Sequence, residues 1–312
     1  MPIRLIPDDT NIAFMKYARW ALPASLVAMV ASILLFFAVG LNLGIDFKGG
    51  TLIEVQSKAD VADLAEIRSR LAPLGLGDVE VQGFGTPNDV LIRIVAQPGG
   101  DEAQQEAVRK VQDVIGLDEY TYRRVEVVGP RVSSELAQTG TIAVLVTLVG
   151  VLFYIWFRFE WQFAVGAIAS LLHDVILTIG FFAVTQLEFN LSSIAAILTI
   201  VGYSLNDTVV VFDRVRENLR KYKQMVIGNL IDMSINQMLS RTLLTSVTTL
   251  IALFALFFFG GAVIRSFTAA MIWGVFIGTY SSIFIAAPVL IRLNLRPDSV
   301  AKPAASGEST AG

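Results

Sequence analysis

LSSIAAILTIVGYSLNDTVVVF occupies residues 191–212, and its reading decides the fold. The stretch is long enough to cross the hydrocarbon core of a bilayer, which takes about 20 apolar residues. No basic residue occurs in 185–190 before it, whereas Arg214, Arg216, Arg220, Lys221 and Lys223 follow it. Positive charge marks the cytoplasmic side, so the pattern predicts a membrane-spanning helix whose carboxyl end faces the cytoplasm. One carboxylate, Asp207, sits inside that helix. An aspartate near a helix centre costs roughly 3 kcal/mol on insertion scales. Asp207 is expected about 8 Å inside the cytoplasmic end, at 1.5 Å per residue, where its short stem reaches little water by snorkelling.

Five further stretches, at 20–41, 137–157, 163–184, 242–259 and 267–291, have similar length and apolarity. Composition agrees: 54% of the 312 residues are hydrophobic and 16% charged, with a mean hydropathy of +0.63. Six crossings put both termini on one side. Lys16, Arg19 and Arg4 before the first stretch and Arg158 between the second and third assign that side to the cytoplasm, with only Arg265 in the opposing loop 260–266. The first apolar run is longer than the 7–15 residues of a signal-peptide core, so it is expected to be an uncleaved anchor. A net charge of −3 gives no reason to expect nucleic acid as a partner. The absence of cysteine and the single histidine exclude disulfides, thiolate chemistry and multi-histidine metal sites. An enzyme reading and a bound cofactor lose support together.

Residues 42–136 form an exported domain between the first two crossings. The order reads strand (51–57), helix (60–73), strand (79–84), strand (90–96), helix (101–115) and strand (120–128). This β-α-β-β-α-β order is that of a ferredoxin-like α+β unit with both helices on one face of an antiparallel sheet. Asp60 is the expected cap of the first helix, with Asp63 three positions on. The domain's carboxylates fall at helix starts and surfaces, which suits a packing or polypeptide-contact surface and not catalysis. KGG at 48–50 lacks the rest of a phosphate-binding loop and reads as a turn. The tail over 292–312 is small, polar and proline-containing from Pro297 onward and is expected to be disordered.

Asp207 invites a search for partners. Arg241 heads the fifth stretch in LSRTLLTSVTTL, and antiparallel packing against the fourth brings it towards Asp207 as a candidate ion pair. The intervening 213–241 reads as a loop, so adjacency is an expectation; an interfacial anchor is the alternative for Arg241. His173 and Asp174 fall mid-membrane in the third stretch, on faces about 100° apart, and need not bond each other. Proton handling and helix packing are both open to them. Ser204, Tyr203, Asn206 and Thr208 add polar atoms around Asp207, and Thr245, Ser246, Thr248 and Thr249 line the fifth stretch; hydroxyls there also serve as interhelical bonds. A carboxyl in an apolar setting favours its protonated form and an approaching guanidinium favours its ionised form. Helix movement that makes and breaks such an approach moves a proton.

GIDFKGG at 44–50, VGPRVSSEL at 128–136, HDV at 173–175, GYSLNDTVVVFDRVREN at 202–218 and RTLLTSVTTL at 241–250 resemble, in order and over nearly the whole chain, the SecD/SecF family of bacterial protein-export subunits, on its SecF side and within the RND superfamily. The resemblance implies six helices with a large periplasmic loop after the first, in the bacterial inner membrane. It implies a complex with SecD and YajC that works with the SecYEG channel, and indirectly with SecA, on unfolded preprotein, with protons as the coupling ion. Carried over by position, the family's functional aspartate and arginine are Asp207 and Arg241. Asn206 matches the place of SecD's own aspartate, so one chain holds an incomplete proton path. Two other classes compete. A small-molecule transporter of the same superfamily needs repeated units and large porter domains, against one domain of modest size here. A passive scaffold predicts that neutralising Asp207 or Arg241 leaves export intact.

Overall fold

The computed structural model describes residues 10–116, 118–261 and 264–295. The N-terminal segment through residue 9, with Arg4, and the tail from 296 lie outside them. Among the described residues, six helical spans are long and apolar enough to cross a membrane: α1 (Phe14–Ala38), α5 (Pro130–Arg158), α6 (Trp161–Thr185), α7 (Leu191–Lys221), α8 (Ile227–Phe259), and α9 (Arg265–Ser281), which continues through a π-helical turn at Ser282–Ala286 into α10 (Ala287–Arg292). The π turn has a local cause. Pro288 has no N–H and its ring crowds the carbonyl four residues back, which widens the turn.

α6, α7 and α9 form the centre of the bundle, and α1, α5 and α8 cover it with most of their surface turned outward. The packing is built on small residues and aromatic edges. Phe163 and Phe212 meet edge-on at 5.1 Å in a cluster with Ala167, Ala286 and Ile155. α1 begins at Phe14 instead of the expected 20, because α8 caps its first turn: Met15 N donates to Asp232 Oδ1 at 2.9 Å, and Asn236 brackets the backbone of Ile12. α5 begins at Pro130 instead of 137, with proline pre-set at the first helical position.

The largest correction concerns 213–241, expected as a loop. α7 runs on to Lys221 and α8 starts at Ile227, leaving only 222–226 to connect an antiparallel pair. Val215 and Leu219 on one side and Leu230, Ile231 and Ile235 on the other are buried in the same cluster. Their helical spacing is masked in the sequence by the polar residues between them.

Between α1 and α5 lies the extramembrane domain. A short helix, α2 (Ile45–Lys48), leads into β1 (Gly50–Ser57), α3 (Leu64–Leu71), β2 (Val79–Gly83), β3 (Asp89–Ile94), α4 (Asp101–Ile115) and β4 (Tyr120–Val128). The strands lie in the order β2-β3-β1-β4, all neighbours antiparallel, as the split ferredoxin-like unit requires. Ile53 and Val55 pair with Ile92 and Val90 and point at Ile67 and Leu71 of α3 and Val111 and Ile115 of α4. α3 starts later than the expected 60. Asp63, not Asp60, is the cap, accepting from Ala65 N and Glu66 N at 2.9 and 3.0 Å, while the backbone of 58–62 is held by neighbouring loops. Ile53 is fully buried, so Ile53→Ala is expected to lower the opening free energy of this domain by about 3 kcal/mol. Amide hydrogen exchange along β1 in the full chain measures it.

Candidate functional site

Asp174 lies about 20 Å along α6 from Trp161, at 1.5 Å per residue, and is fully buried with His173. Three polar side chains contact it and a fourth backs one of them. His173 Nδ1 is 2.9 Å from Oδ1, Ser204 Oγ of α7 donates to Oδ2 at 2.5 Å, and Ser281 Oγ of α9 donates to Oδ2 at 2.7 Å. Ser170 Oγ, one turn back on α6, donates to Ser281 at 2.8 Å. Three central helices therefore converge on one carboxyl. Their close approach depends on Gly278, where a Cβ would sit 3.0 Å from that of Ser204.

The network continues outward through His173. Its ring stacks on Tyr280 with centroids 5.9 Å apart, and the Tyr280 hydroxyl is 2.8 Å from Ser25 Oγ on α1. Nε2 of His173 is buried without a hydrogen-bond partner among the described residues. His173 and Asp174, adjacent in sequence and not required to bond, are thus partners in one chain of polar groups from α7 through α6 and α9 to α1. Ser170, Ser281, Tyr280 and Ser25 were not singled out from the sequence. Their signal was a hydroxyl recurring in apolar runs, which by itself is common to helix packing.

Asp207 lies one turn beyond Ser204 towards the basic end of α7 and is 3% exposed. Its Oδ2 and the neighbouring Thr208 Oγ1 are buried without a hydrogen-bond partner among the described residues. A buried polar atom left so has room to accept from a water or from a side chain that moves towards it, since leaving it unsatisfied is costly. The polar residues expected around Asp207 go elsewhere: Ser204 to Asp174, and Tyr203 OH to Ser246 of α8 at 3.2 Å. Asn206 is exposed on the outer face of α7. Arg241 does not head its helix but lies well inside α8, exposed and facing the Asp207 level. Arg241 and Asp207 form no salt bridge among the described residues. The antiparallel α7–α8 pairing that the sequence left as an expectation is present. Asn218 Nδ2 donates to Ser234 and Gln237 at 2.9 and 3.0 Å.

α7 also touches the extramembrane domain at its first residue. Asp46 Oδ2 accepts from Leu191 N, the first residue of α7, at 2.9 Å. Asn190 caps the same end by accepting from Ser193 N. Beside them, Arg93 of β3 reaches Glu188 in the α6–α7 connection at 3.0 Å, and Gly44 N donates to Phe189 O at 2.9 Å. Gly49 and Gly50 adopt φ of 71° and 120°, conformations open to glycine, so the chain can turn from this anchor straight into β1. Among the described residues, no group of three or more His, Cys, Asp or Glu is placed to hold a metal ion.

The fold and site define a class: a multi-pass helical membrane protein with buried carboxyl groups in its bundle and a small α+β domain anchored to the helix between them. Two family models match, Protein export membrane protein SecD/SecF, C-terminal, over residues 108–296 and the SecD/SecF GG motif over residues 34–61. The chain belongs to the SecD/SecF family. It is 45% identical to protein translocase subunit SecF of Rhodobacter capsulatus, over 94% of this chain and 92% of that one. It is 47% identical to protein translocase subunit SecDF of Brucella abortus over 95% of this chain, but spans only 39% of that longer protein. The crystal structure of SecDF from Thermus thermophilus, described as a translocon-associated membrane protein, superposes with a TM-score of 0.83 at 35% identity, covering 95% of this chain and 40% of that one. A SecDF crystal structure in a super-membrane-facing form gives 0.69 at the same 35% identity, over 94% of this chain and 40% of that one.

Proposed function

We propose that this chain is an accessory subunit of the Sec protein-export machinery. Beside SecD, and with the SecYEG channel, YajC and, indirectly, SecA, it uses the proton motive force to draw unfolded preprotein out of the bacterial inner membrane. Both termini are cytoplasmic and the α+β domain periplasmic, in line with the positive charge at the α5–α6 and α7–α8 ends. Protons are the coupling ion, and the chain makes or breaks no covalent bond of its own.

One observation carries the reading: α7 bears Asp207 and Ser204 in the bundle and begins on Asp46 of the exported domain. A change of charge at Asp207 or Asp174 alters what holds α7, and α7 ends on the domain that faces the emerging polypeptide. The unequal superposition on two SecDF structures, 0.83 and 0.69 at one identity, supports a family whose parts take more than one arrangement. The SecD contact is supported by the outer stripe of α7. Ala195, Thr199, Gly202 and Asn206 are exposed at helical spacing, small and polar residues that suit a partner helix better than lipid.

The test is to stall a preprotein across inner-membrane vesicles that contain the translocon and SecD, with or without this chain, and then impose a proton gradient. Completion of export is expected to rise with the gradient only when the chain is present. Equal completion with and without a gradient assigns the chain to the passive scaffold instead.

A further inference from the structure

At the basic end of the bundle, α5 stops at Arg158, the chain turns through Phe159 and Glu160 into α6, and α7 passes alongside. Between them lies a cavity of about 510 Å³ lined by Arg158, Asp213, Arg216, Glu217, Arg220 and Lys221. Four of these residues are cationic and two anionic, and the anions are already engaged. Asp213 is 3.4 Å from Arg158, and Glu217 is 2.9 Å from Arg214 outside the lining. Arg216 meets Glu160 at 3.3 Å, yet its Nε and Glu160 Oε2 are buried without hydrogen-bond partners among the described residues. Arg220 and Lys221 have no carboxylate within salt-bridge distance among the described residues; the Lys221 ammonium lies 5.2 Å over the Tyr222 ring. The cavity therefore presents positive charge in excess of its carboxylates. Phe159 sets the fork: the guanidinium carbons of Arg158 and Arg216 lie 5.0 and 5.9 Å from its ring centre.

The depth of the cavity names its ligand. Trp156, Phe157 and Trp161 are exposed by 70%, 85% and 53% on the outer side of the same corner, and exposed tryptophans mark the headgroup level of a bilayer. Towards the membrane interior, the outer face of α5 continues as Phe153, Val149 and Leu145, all exposed and apolar. A polar pocket with an excess of guanidinium groups above an apolar helix face matches an amphiphile with an anionic phosphate head. We propose that this cavity binds the phosphodiester head of an anionic phospholipid, held by Arg158, Arg216 and Arg220, with its acyl chains along α5. On binding, the phosphate competes with Glu160 and Asp213 for Arg216 and Arg158.

The test is native mass spectrometry of the full chain, purified with SecD, titrated with phosphatidylglycerol, with phosphatidylcholine, and with inorganic phosphate as competitor. Wild type is expected to bind phosphatidylglycerol about a hundredfold more tightly than phosphatidylcholine, at about fivefold for each of the three arginines, with millimolar phosphate unable to displace it. Arg216→Gln/Arg220→Gln is expected to weaken phosphatidylglycerol about fivefold for each cation removed and to leave phosphatidylcholine unchanged. Arg131→Gln, 91% exposed at the opposite end, serves as the control and is expected to change neither. If the double variant does not fold, Arg220→Gln alone, on an exposed side chain, gives the fivefold reading. Equal binding of the two lipids to wild type, or unchanged binding to a folded variant, overturns the proposal. Displacement by phosphate reassigns the cavity to a free anion. Loss of SecD from the double variant with lipid selectivity intact reassigns it to a protein contact, and either result also overturns it. None of these readouts involves export, so failure here leaves the proton-coupling reading standing.

Discussion

Asp207→Asn is expected to remove the gradient-dependent part of preprotein export, leaving the level seen in membranes without the chain, with the protein made in normal amount and SecD still co-purifying. Asparagine has nearly the shape of aspartate, so the 3%-exposed site keeps its packing. What it loses, on the proposed coupling role, is a carboxyl able to bind and release a proton. The site tolerates the change because Asp207 Oδ2 holds no hydrogen bond that the bundle depends on. Arg241→Met is expected to remove the same component, since it deletes the charge that favours the ionised carboxyl, and Arg241→Lys to retain part of it. Asp174→Asn should behave differently. Its carboxyl takes hydrogen bonds from Ser204 and Ser281 and lies beside His173, and disrupting such a buried network costs about 3 kcal/mol. Loss of export is expected there together with loss of folded protein. The comparison at equal membrane abundance separates the two carboxyl groups. Unchanged gradient-dependent export in Asp207→Asn would sink the coupling role.

The membrane helices were legible because hydrocarbon imposes a length and a composition that few soluble segments meet. The α+β domain was legible because its elements are short, amphipathic and separated by turn residues, so that 101–115 and 120–128 read directly from periodicity. The sequence misled where a helix leaves the membrane without ending. Asn229, Asp232, Asn236 and Gln237 break any apolar run in 227–241, yet Leu230, Ile231 and Ile235 recur at helical spacing and are buried. Asp207 and Asp174 stood out because a carboxylate in an apolar run is costly. Ser281, Tyr280 and Ser25 did not, since their role depends on which helices meet. Asp46 was hidden for the same reason: its partner, the backbone of Leu191, is distant in sequence and carries no signature of its own.

That hidden contact leads to the second large effect: Asp46→Ala/Arg93→Ala is expected to abolish gradient-dependent export while leaving the charges in the bundle untouched. Asp46 meets one of the unpaired N–H groups at the start of α7, where a carboxylate also complements the helix dipole. Losing it costs about 1 kcal/mol, too little to unfold six packed helices. The contact is nevertheless one of few through which α7 pulls on the domain, and Arg93–Glu188 is a second. Removing both leaves the covalent chain, the backbone bonds of Phe189 with Gly44 and Asn42, the Asn42–Gln186 bond, the Phe47–Phe189 ring contact and the packing of α2 on α5, none of which holds the start of α7 itself. A spin-label pair on α4 and the domain-side end of α6 reports the coupling directly. In wild type the distance distribution should change on imposing a gradient, and Asp207→Asn should hold it fixed. The Asp46→Ala/Arg93→Ala protein should show a broad distribution that ignores the gradient. If that variant exports normally, force reaches the domain by another route and α7 is not the strut. If it loses export while its distances still respond, the two contacts shape the polypeptide surface and not the transmission.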